Sequence, residues 1–319
     1  MPLSGSPRRI ARRAAKLLLA RRTPAETELE RAAVEGLRAA FASLPDQVPT
    51  GLPQTEEAWR RYELRLRDRV LREGPRRFLT WDVIEETMFV GNAPFLRHEL
   101  SFLRSLPAWR ERWRAVIRES AIGAPPRYLL APYSSGNLVH HAYHVASFEE
   151  ATGTRVDGFD RVVEFGGGYG SMCRVFHRLG FAGRYTIFDL PAFSSLQAYY
   201  LRALGIPLIE AGARPDAPGA VVDSDIERVG AALEQGPSGR SLFVATWSIS
   251  ETPRGLRDRV LGQVRDADAY LIAIQDVYQE MDNTAYFDAW RAQHPDVRWV
   301  SIPMVHLPPN SYLFGVRSG

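Results

Sequence analysis

The 319-residue chain has only one cysteine, Cys173, and only one lysine, Lys16. A single cysteine excludes an internal disulfide framework and a metal centre built from several thiolates. We therefore expect a cytoplasmic protein in which Cys173 is buried as a small apolar side chain. The hydrophobic content of 45% and the charged content of 24% are otherwise ordinary for a globular protein with a sizeable core.

Long hydrophobic runs are also missing, since no window approaches the ~20 apolar residues that span a bilayer. The chain shows no convincing signal-peptide cleavage site. Acidic residues are absent from residues 1–22, which hold seven basic ones: Arg8, Arg9, Arg12, Arg13, Lys16, Arg21 and Arg22. Two interpretations of this basic segment stay open: a solvated surface helix, and an amphipathic helix over 8–22 that makes peripheral contact with the inner face of a membrane or with nucleic acid.

Four glycines follow a short apolar run, in the stretch Val162-Val163-Glu164-Phe165-Gly166-Gly167-Gly168-Tyr169-Gly170-Ser171. The run predicts a strand that turns sharply into a helix around a bound nucleotide, because glycine permits positive φ and close approach of a ligand. A dinucleotide fingerprint needs glycine or alanine where Ser171 stands. The alternation Glu164-x-Gly166-x-Gly168-x-Gly170 instead resembles the S-adenosylmethionine (SAM) loop of class I methyltransferases. A carboxylate here suits the cationic amino acid half of SAM better than a pyrophosphate.

A second acidic residue, Asp189, ends the next apolar run and stands 19 positions after Gly170. Nucleotide-binding α/β folds place a carboxylate at this point to bind ribose hydroxyls. The glycine loop and Asp189 in this order predict a SAM-type nucleotide site, the alternative being a strand, turn and helix without a ligand.

The pattern of the chain changes near residue 155. Before it, helices are predicted over 24–44, 56–72, 95–104 and 108–119. After it, strands are predicted near 161–166, 184–189, 206–210, 241–246, 268–275, 296–304 and 311–317. Alternation of strands with helices indicates an α/β fold with parallel pairing, but the short turn before residue 311 makes the last two strands an antiparallel hairpin.

We therefore predict a Rossmann-like, seven-stranded class I methyltransferase sheet with an antiparallel last strand. It is expected to occupy residues 156–319 as the SAM-binding domain. Before it we predict a mainly helical region, residues 23–155, for substrate binding or oligomerisation. The basic segment 1–22 comes first.

The fourth predicted strand leads into Thr246 and Trp247 and then to Glu251. Ligands bind outside the carboxyl ends of such strands, so Glu251 is a candidate to accept a substrate hydroxyl proton, and Trp247 to pack on a sugar or on the cofactor. The alternative is that Glu251 stabilises the next helix electrostatically. The Asn/Asp-Pro-Pro-aromatic motif typical of nucleobase N-methyltransferases is absent here. Of the 40 basic residues, 33 lie outside segment 1–22, against 37 acidic residues. The rest of the chain therefore lacks the excess of positive charge that binds phosphates, and no nucleic-acid partner is expected.

Histidines cluster in the stretch from Tyr133 to His144. On a helix His140 and His144 share one face, and His141 lies beside them. The metalloprotease motif His-Glu-x-x-His is absent, because position 141 is not glutamate. We predict no metal site here. The alternative is a site formed by two of these histidines with carboxylates from elsewhere in the chain. A neutral imidazole is a candidate general base for an alcohol, and the alternative is a set of histidines with no chemistry. His306, after the sixth predicted strand, either faces the substrate or caps a turn.

Taken together, residues 130–319 resemble the sugar O-methyltransferase family of bacterial natural-product and polysaccharide pathways. The likeness is carried by the loop 163–170, Phe188-Asp189-Leu190-Pro191 with 197–201, the stretch 245–251 and the pair Tyr143-His144. The resemblance implies that SAM donates a methyl group to a sugar hydroxyl of a glycan, glycoside or natural product.

The resemblance also implies roles for individual residues. The expected cofactor-binding residues are Glu164, Gly166, Gly168, Gly170, Asp189, Leu190, Thr246 and Trp247. The expected catalytic residues are, in order of preference, His144, Glu251 and His306, and the substrate-binding ones are Tyr133, His140, His141 and Tyr143. A homo-oligomer is expected. The rival functions are an O- or N-methyltransferase for a phenol, acid or amine, and a non-catalytic module that binds a partner through segment 1–22.

Overall fold

A computed structural model describes residues 18–20, 22–52, 54–88, 90–209, 214, 216–235 and 238–318. Apart from Arg22, the basic residues of segment 1–22 lie outside the described residues. The strands are β1 (Arg161–Phe165), β2 (Arg184–Phe188), β3 (Gly219–Asp223), β4 (Ser241–Thr246), β5 (Ala269–Gln275), β6 (Val277–Tyr278), β7 (Met281–Asp282), β8 (Val297–Pro303) and β9 (Asn310–Arg317).

The α-helices divide into an amino-terminal group and a group that follows the sheet strands. The first group is α1 (Glu28–Ser43), α2 (Gln54–Glu73), α3 (Asp82–Thr87), α4 (Leu96–Ser105) and α5 (Arg114–Val116). The second is α6 (Gly136–Thr152), α7 (Ser171–Arg178), α8 (Pro191–Ala203), α9 (Val229–Glu234), α10 (Arg254–Gln263) and α11 (Asn283–Arg291).

Seven of the described strands form one sheet in the order β3-β2-β1-β4-β5-β9-β8. The first five pair in parallel, and β9 pairs antiparallel with both β5 and β8. Because successive parallel strands are joined by helices, their carboxyl ends meet at one edge, with β1 and β4 adjacent at the point where the strand order reverses. This is the predicted class I methyltransferase sheet, and the fold prediction is confirmed.

The sheet buries apolar residues on both faces, because alternate side chains of a strand point to opposite sides. In β5, Leu271 joins the core shared with α6, α7, α8 and the amino-terminal helices, and Ile272 joins the core shared with α9, α10 and α11. Cys173 is buried and unpaired, as expected. The first core is continuous across residue 155, and the domain boundary there stays a prediction.

The third predicted strand, 206–210, is wrong in position. The third sheet strand is β3 at 219–223, which pairs with β2, while Leu208 makes only an isolated bridge to Ala220. Pro207 has no N–H to donate, so the apolar run that suggested a strand lies at the sheet edge without forming a ladder. Residue 210 lies outside the described residues.

The predicted amino-terminal helices are present with shifted ends, and the fourth differs in kind. Residues 109–113 form a π-helical turn that continues into α5. No helix among the described ranges is both long and apolar enough to cross a bilayer.

Candidate active site

A cavity of about 1110 Å³ opens at the carboxyl ends of β1, β2 and β4. One wall comes from the sheet loops and includes Gly166, Asp189 and Trp247. The other comes from the amino-terminal helices and α6 and includes Trp59 and His140. The cavity therefore lies where an open α/β sheet places its ligand.

The glycine loop forms the floor of the sheet wall. Gly166, Gly168 and Gly170 have φ of 76°, 58° and 88°, values that favour glycine. A Cβ on Gly166 would lie 2.2 Å from the Cβ of Ser248, whose hydroxyl donates to the carbonyl of Phe165. Gly170 does not line the cavity, since its α-carbon faces Leu201 of α8.

Asp189 holds the loop in place from the end of β2. Its Oδ2 accepts from the N–H of Gly168 at 3.1 Å and from Nε2 of Gln197 at 2.9 Å. Its Oδ1 accepts from the N–H of Leu190 at 2.8 Å. Burial raises the pKa of Asp189 to about 7 against the opposing effect of these hydrogen bonds. Asp189 and Leu190 both line the cavity, with the carboxylate partly exposed to it.

Glu164 lies at the end of β1 beneath the glycine loop, 2% exposed. Its Oε2 accepts from the hydroxyl of Tyr185 at 3.0 Å. Burial raises the pKa of Glu164 to about 8, and the Tyr185 bond offsets only part of this shift. A cationic ligand above the loop would favour the charged form, because opposite charge lowers a carboxyl pKa.

The end of β4 places Thr246, Trp247 and Glu251 on the cavity. Trp247 has φ 63°, which is strained backbone for a bulky residue and typical of functional sites. Its Nε1 donates to Oδ1 of Asn310 at 2.7 Å, and its ring stacks on His140 with centroids 5.1 Å apart. Burial raises the pKa of Glu251 to about 7, although Nε2 of Gln275 donates to it at 3.0 Å.

The imidazole of His140 is held by a carboxylate that the sequence analysis did not single out. Nδ1 of His140 donates to Glu99 at 2.7 and 2.9 Å, and Nε2 of His306 donates to the same carboxylate at 3.2 Å. Glu99 is fully buried in α4 and its pKa is lowered, because the two histidines outweigh the effect of burial. With Nδ1 directed to Glu99, Nε2 of His140 is the nitrogen left for a ligand in the cavity.

His141 and His144 differ in access. His141 lines the cavity, and burial lowers its pKa to about 3. Its Nδ1 is buried without a hydrogen-bond partner among the described residues. His144 does not line the cavity and is fully buried behind His140. Its Nδ1 is hydrogen-bonded to the hydroxyl of Tyr312, and burial lowers its pKa well below the usual value.

The remaining predicted residues lie off the cavity. Tyr143 borders a separate crevice of about 290 Å³ together with Tyr312. Tyr133 packs under the guanidinium of Arg114, 6.0 Å from the ring centroid. His306 does not line the cavity; it stacks on the exposed His98 with centroids 4.4 Å apart and donates to Glu99, the partner of His140. The structure thus brings His140, His141 and Glu251 together around the cavity and leaves Tyr133, Tyr143, His144 and His306 outside it.

The helical wall is fixed by Asn137 of α6. Its side chain accepts from the N–H of Val90 at 3.0 Å and donates to the carbonyl of Met88 at 2.7 Å. Met88 and Val90 line the cavity beside Phe95. Nothing in the local sequence marks these residues, because an asparagine that clamps a segment 47 positions away is visible only once the chain is folded.

The ionisable side chains that line the cavity are mainly acidic. Its two arginines are paired with acids that do not line it, Arg60 with Glu63 at 2.7 Å and Arg259 with Glu227 at 2.9 Å. The lining acids are Glu56, Glu85, Glu86, Glu164, Asp189 and Glu251. Glu86 is itself paired with Arg65 at 2.6 Å, and burial raises the pKa of Glu164, Asp189 and Glu251. Because both lining arginines are paired, neither is free to bind a strongly anionic ligand. In the described ranges no three His, Cys, Asp or Glu side chains are grouped so as to hold a metal ion.

The residues fit a nucleoside cofactor of the SAM type. The backbone at Gly166 leaves no room for a side chain, the Asp189 carboxylate reaches the cavity, and Leu190 offers an apolar contact beside it. The carboxyl of Glu164 lines the cavity under the loop and has no cationic partner among the described residues, so it suits a cation rather than a pyrophosphate.

Comparison with known proteins yields structural neighbours only, since no family model and no curated protein matches the chain. The chain is similar to the SAH-bound methyltransferase PaMTH1 of Podospora anserina, with 9% identity over 85% of this chain and 100% of that one and a TM-score of 0.37. It is similar to the pyocyanin biosynthetic protein PhzM, with 14% identity over 97% and 99% and a TM-score of 0.37. It is also similar to the mitomycin 7-O-methyltransferase MmcR, with 14% identity over 98% and 99% and a TM-score of 0.35. At these scores the fold assignment depends on the strand order of the chain itself.

Proposed function

We propose that the protein is a SAM-dependent O-methyltransferase whose acceptor is a sugar hydroxyl. The observation that carries the proposal is the presence, in one cavity, of the glycine loop with Asp189 on one wall and the His140–Glu99 pair on the other. A nucleotide site alone would not need a positioned imidazole opposite it. The proposed compartment is the cytoplasm, and a homo-oligomer is proposed.

The sheet wall would hold the cofactor. Backbone at Gly166 and Gly168 would contact its amino acid half, Asp189 would bind the ribose hydroxyls, and Leu190 would pack on the adenine. SAM supplies an electrophilic methyl group on a sulfonium. Glu164 supplies a buried negative charge beneath the loop, and this charge forms more readily when a cation is bound above it.

The helical wall would supply the base. His140 takes the place that the sequence analysis gave to His144, because His140 borders the cavity and His144 does not. Nε2 of His140 would accept the proton of the acceptor hydroxyl. The methyl–sulfur bond of the cofactor would break as the methyl–oxygen bond forms, which would leave S-adenosylhomocysteine. Glu99, which accepts from Nδ1, fixes the tautomer and stabilises the imidazolium that forms.

Polar groups beside Trp247 suit a sugar acceptor. Glu251, Gln275 and Asn310 line the cavity, and their oxygens and amides are able to hydrogen-bond several hydroxyls. The indole ring offers a flat apolar face for a sugar ring. Because both lining arginines are paired with acids, a neutral acceptor is favoured over a phosphorylated one.

A second candidate acceptor is a small aromatic alcohol. Trp59, Met88, Phe95 and Phe193 give the helical wall a largely apolar character, which suits a phenol. The base and the cofactor side are the same for both acceptors, so only an acceptor screen separates them.

The first experiment is calorimetric titration with S-adenosylhomocysteine, the product form of the cofactor, because it needs no acceptor. We expect micromolar binding, about −8 kcal/mol. Absence of binding by a folded sample would overturn the proposal. Methyl transfer is then assayed with panels of neutral glycosides and of phenols, and transfer to phenols alone would replace the sugar acceptor with the aromatic one.

A further inference from the structure

A tight turn in the amino-terminal region presents two adjacent leucines to solvent. Tyr128 and Ala131 pair across the turn, and Leu129 and Leu130 at its tip are 62% and 52% exposed. Leu18 is 86% exposed, so this part of the chain holds three of the six large hydrophobic side chains exposed in the described residues. Isolated exposed leucines are common, but adjacent ones on a fixed turn mark an interaction site more often.

The turn is held rigidly. Asn92 accepts from the N–H of Leu129 at 2.8 Å and donates to the carbonyl of Arg127 at 3.1 Å. The N–H of Tyr128 donates to the carbonyl of Ser134 at 3.1 Å. The leucines therefore point outward from a backbone that is already ordered, so docking them costs little conformational entropy.

Arginines surround the two leucines. Nη2 of Arg104 donates to the carbonyl of Leu130 at 3.2 Å. The charges of Arg97 and Arg104 both act on Tyr128 at the base of the turn, and Arg127 precedes it. All three arginines are exposed, and none has an acidic partner among the described residues.

The basic amino-terminal segment joins the chain at the same place. The N–H of Arg127 donates to the carbonyl of Leu19 at 2.9 Å, and Ala20 pairs with Pro126. Residues 1–22 carry seven basic residues and no acid. Arg22, the basic residue of this segment that the structure describes, stands two positions after Ala20 and is exposed.

We propose that one surface of the described chain docks on an anionic lipid bilayer. This arginine-leucine surface consists of Arg97, Arg104, Arg127, Leu129 and Leu130. Clustered arginines are attracted to anionic headgroups, and leucines at the tip of a turn enter the boundary between headgroups and acyl chains. A nucleic acid would use the arginines but would gain nothing from the leucines. The acid-rich cavity is separate from this surface, so the proposal does not depend on the proposed reaction.

The test is cosedimentation of the full chain with vesicles of equal parts phosphatidylglycerol and phosphatidylcholine, with pure phosphatidylcholine vesicles in parallel. We expect binding to the anionic vesicles alone, weakened by salt because the attraction is screened. Leu129→Ser with Leu130→Ser should weaken binding about tenfold or more by removing apolar insertion. Reversing the three arginines to glutamate should weaken it on the order of 100-fold.

Matched controls use exposed residues outside the surface. Val277→Ser removes a 57% exposed apolar side chain, and Arg265→Glu reverses an exposed charge; both should bind like the parent chain. Circular dichroism and the thermal midpoint establish that each variant is folded. Failure of the full chain to bind anionic vesicles overturns the proposal. So does binding that persists in the leucine variant, and so does RNA binding that exceeds vesicle binding.

Discussion

The two walls of the cavity are built differently. The sheet wall comes from short loops at the ends of β1, β2 and β4. Its residues Glu164, Gly166 and Asp189 come from one strand-helix-strand unit, although Trp247 of the same wall follows much later in the chain. The helical wall joins residues as distant as Trp59 and His140, and its imidazole is held by Glu99, 41 positions away.

The difference concerns what each wall must recognise. A cofactor of fixed chemistry is bound by backbone geometry, and backbone geometry requires particular residues at fixed spacing. An acceptor is recognised by side chains that many helices are able to supply, so no spacing marks them. Predictions that affect one wall and spare the other test this division.

The largest effect is expected at Gly166 on the sheet wall. Gly166→Ala places a Cβ 2.2 Å from Ser248, whereas in Gly168→Ala the nearest atom is 3.5 Å away, in Met88. Both variants carry the cost of a side chain at positive φ, about 1–2 kcal/mol. We expect Gly166→Ala to lose detectable S-adenosylhomocysteine binding and Gly168→Ala to retain it, measured by calorimetry alongside denaturant unfolding. Equal losses would mean that backbone strain, not space, controls the loop.

The next largest effect is expected at His140 on the helical wall. His140→Gln removes the proposed base and should lower turnover roughly 100- to 10,000-fold while cofactor affinity is unchanged. His144→Gln is the matched control, since His144 has no access to the cavity, and it should lower turnover less than ~10-fold. Measuring kcat and cofactor affinity for both decides the assignment. A greater loss in His144→Gln would restore the base predicted from the sequence.

The sequence sufficed for most of the fold for physical reasons. Buried parallel strands read as apolar runs, and the run that ends at Phe165 is followed by glycines, which allow a sharp turn. The third strand was misplaced because Ile206 and Leu208 are as apolar as Val221 and Val222. Which of these two apolar runs becomes the strand is decided by pairing with β2, a contact between residues distant in sequence. The run with Pro207 is at a disadvantage, because proline has no N–H to donate to the strand ladder.

The sequence offered candidate residues on both walls, but it did not rank the histidines by their access to the cavity. Asp189 follows from its place at the end of β2, whereas His140 and His144 share a helix face and differ only in depth. Which of them borders the cavity depends on how α6 packs against α4 and the sheet, and this packing is set by tertiary contacts. Glu99 is one acid on an amphipathic helix, and its pairing with two histidines leaves no mark in the local sequence.

A moderate effect is expected at Asp189. Asp189→Ala removes the acceptor for the N–H of Gly168 and the proposed ribose contacts, and should weaken S-adenosylhomocysteine binding by ~1–3 kcal/mol. Glu251→Gln, an isosteric change on the same cavity, should leave cofactor affinity unchanged. The pair is compared by calorimetry. Loss of affinity in Glu251→Gln as well would extend the cofactor site along the sheet wall to the end of β4 and remove its separation from the proposed acceptor site there.

The smallest effect is expected in the pH dependence of stability. The pKa of Glu164 is about 8 in the folded protein against an ordinary value of 4.5, so between these values the folded state keeps a proton that the unfolded state has lost. Its stabilising contribution is therefore complete below the ordinary value and is lost as the pH rises through about 8. Asp189, with a pKa of about 7, acts in the same direction.

Glu164→Gln cannot titrate and should flatten this part of the profile. We expect the thermal midpoint of the parent protein, without cofactor, to fall by a few more °C than that of the variant between about pH 5 and about pH 9. His140→Gln is the control from the helical wall and should keep the parent slope. Identical slopes in the parent and in Glu164→Gln would mean that Glu164 is already charged in the folded protein. The sheet wall would then present its negative charge before any cation binds, and the cofactor would meet a fixed charge rather than induce one.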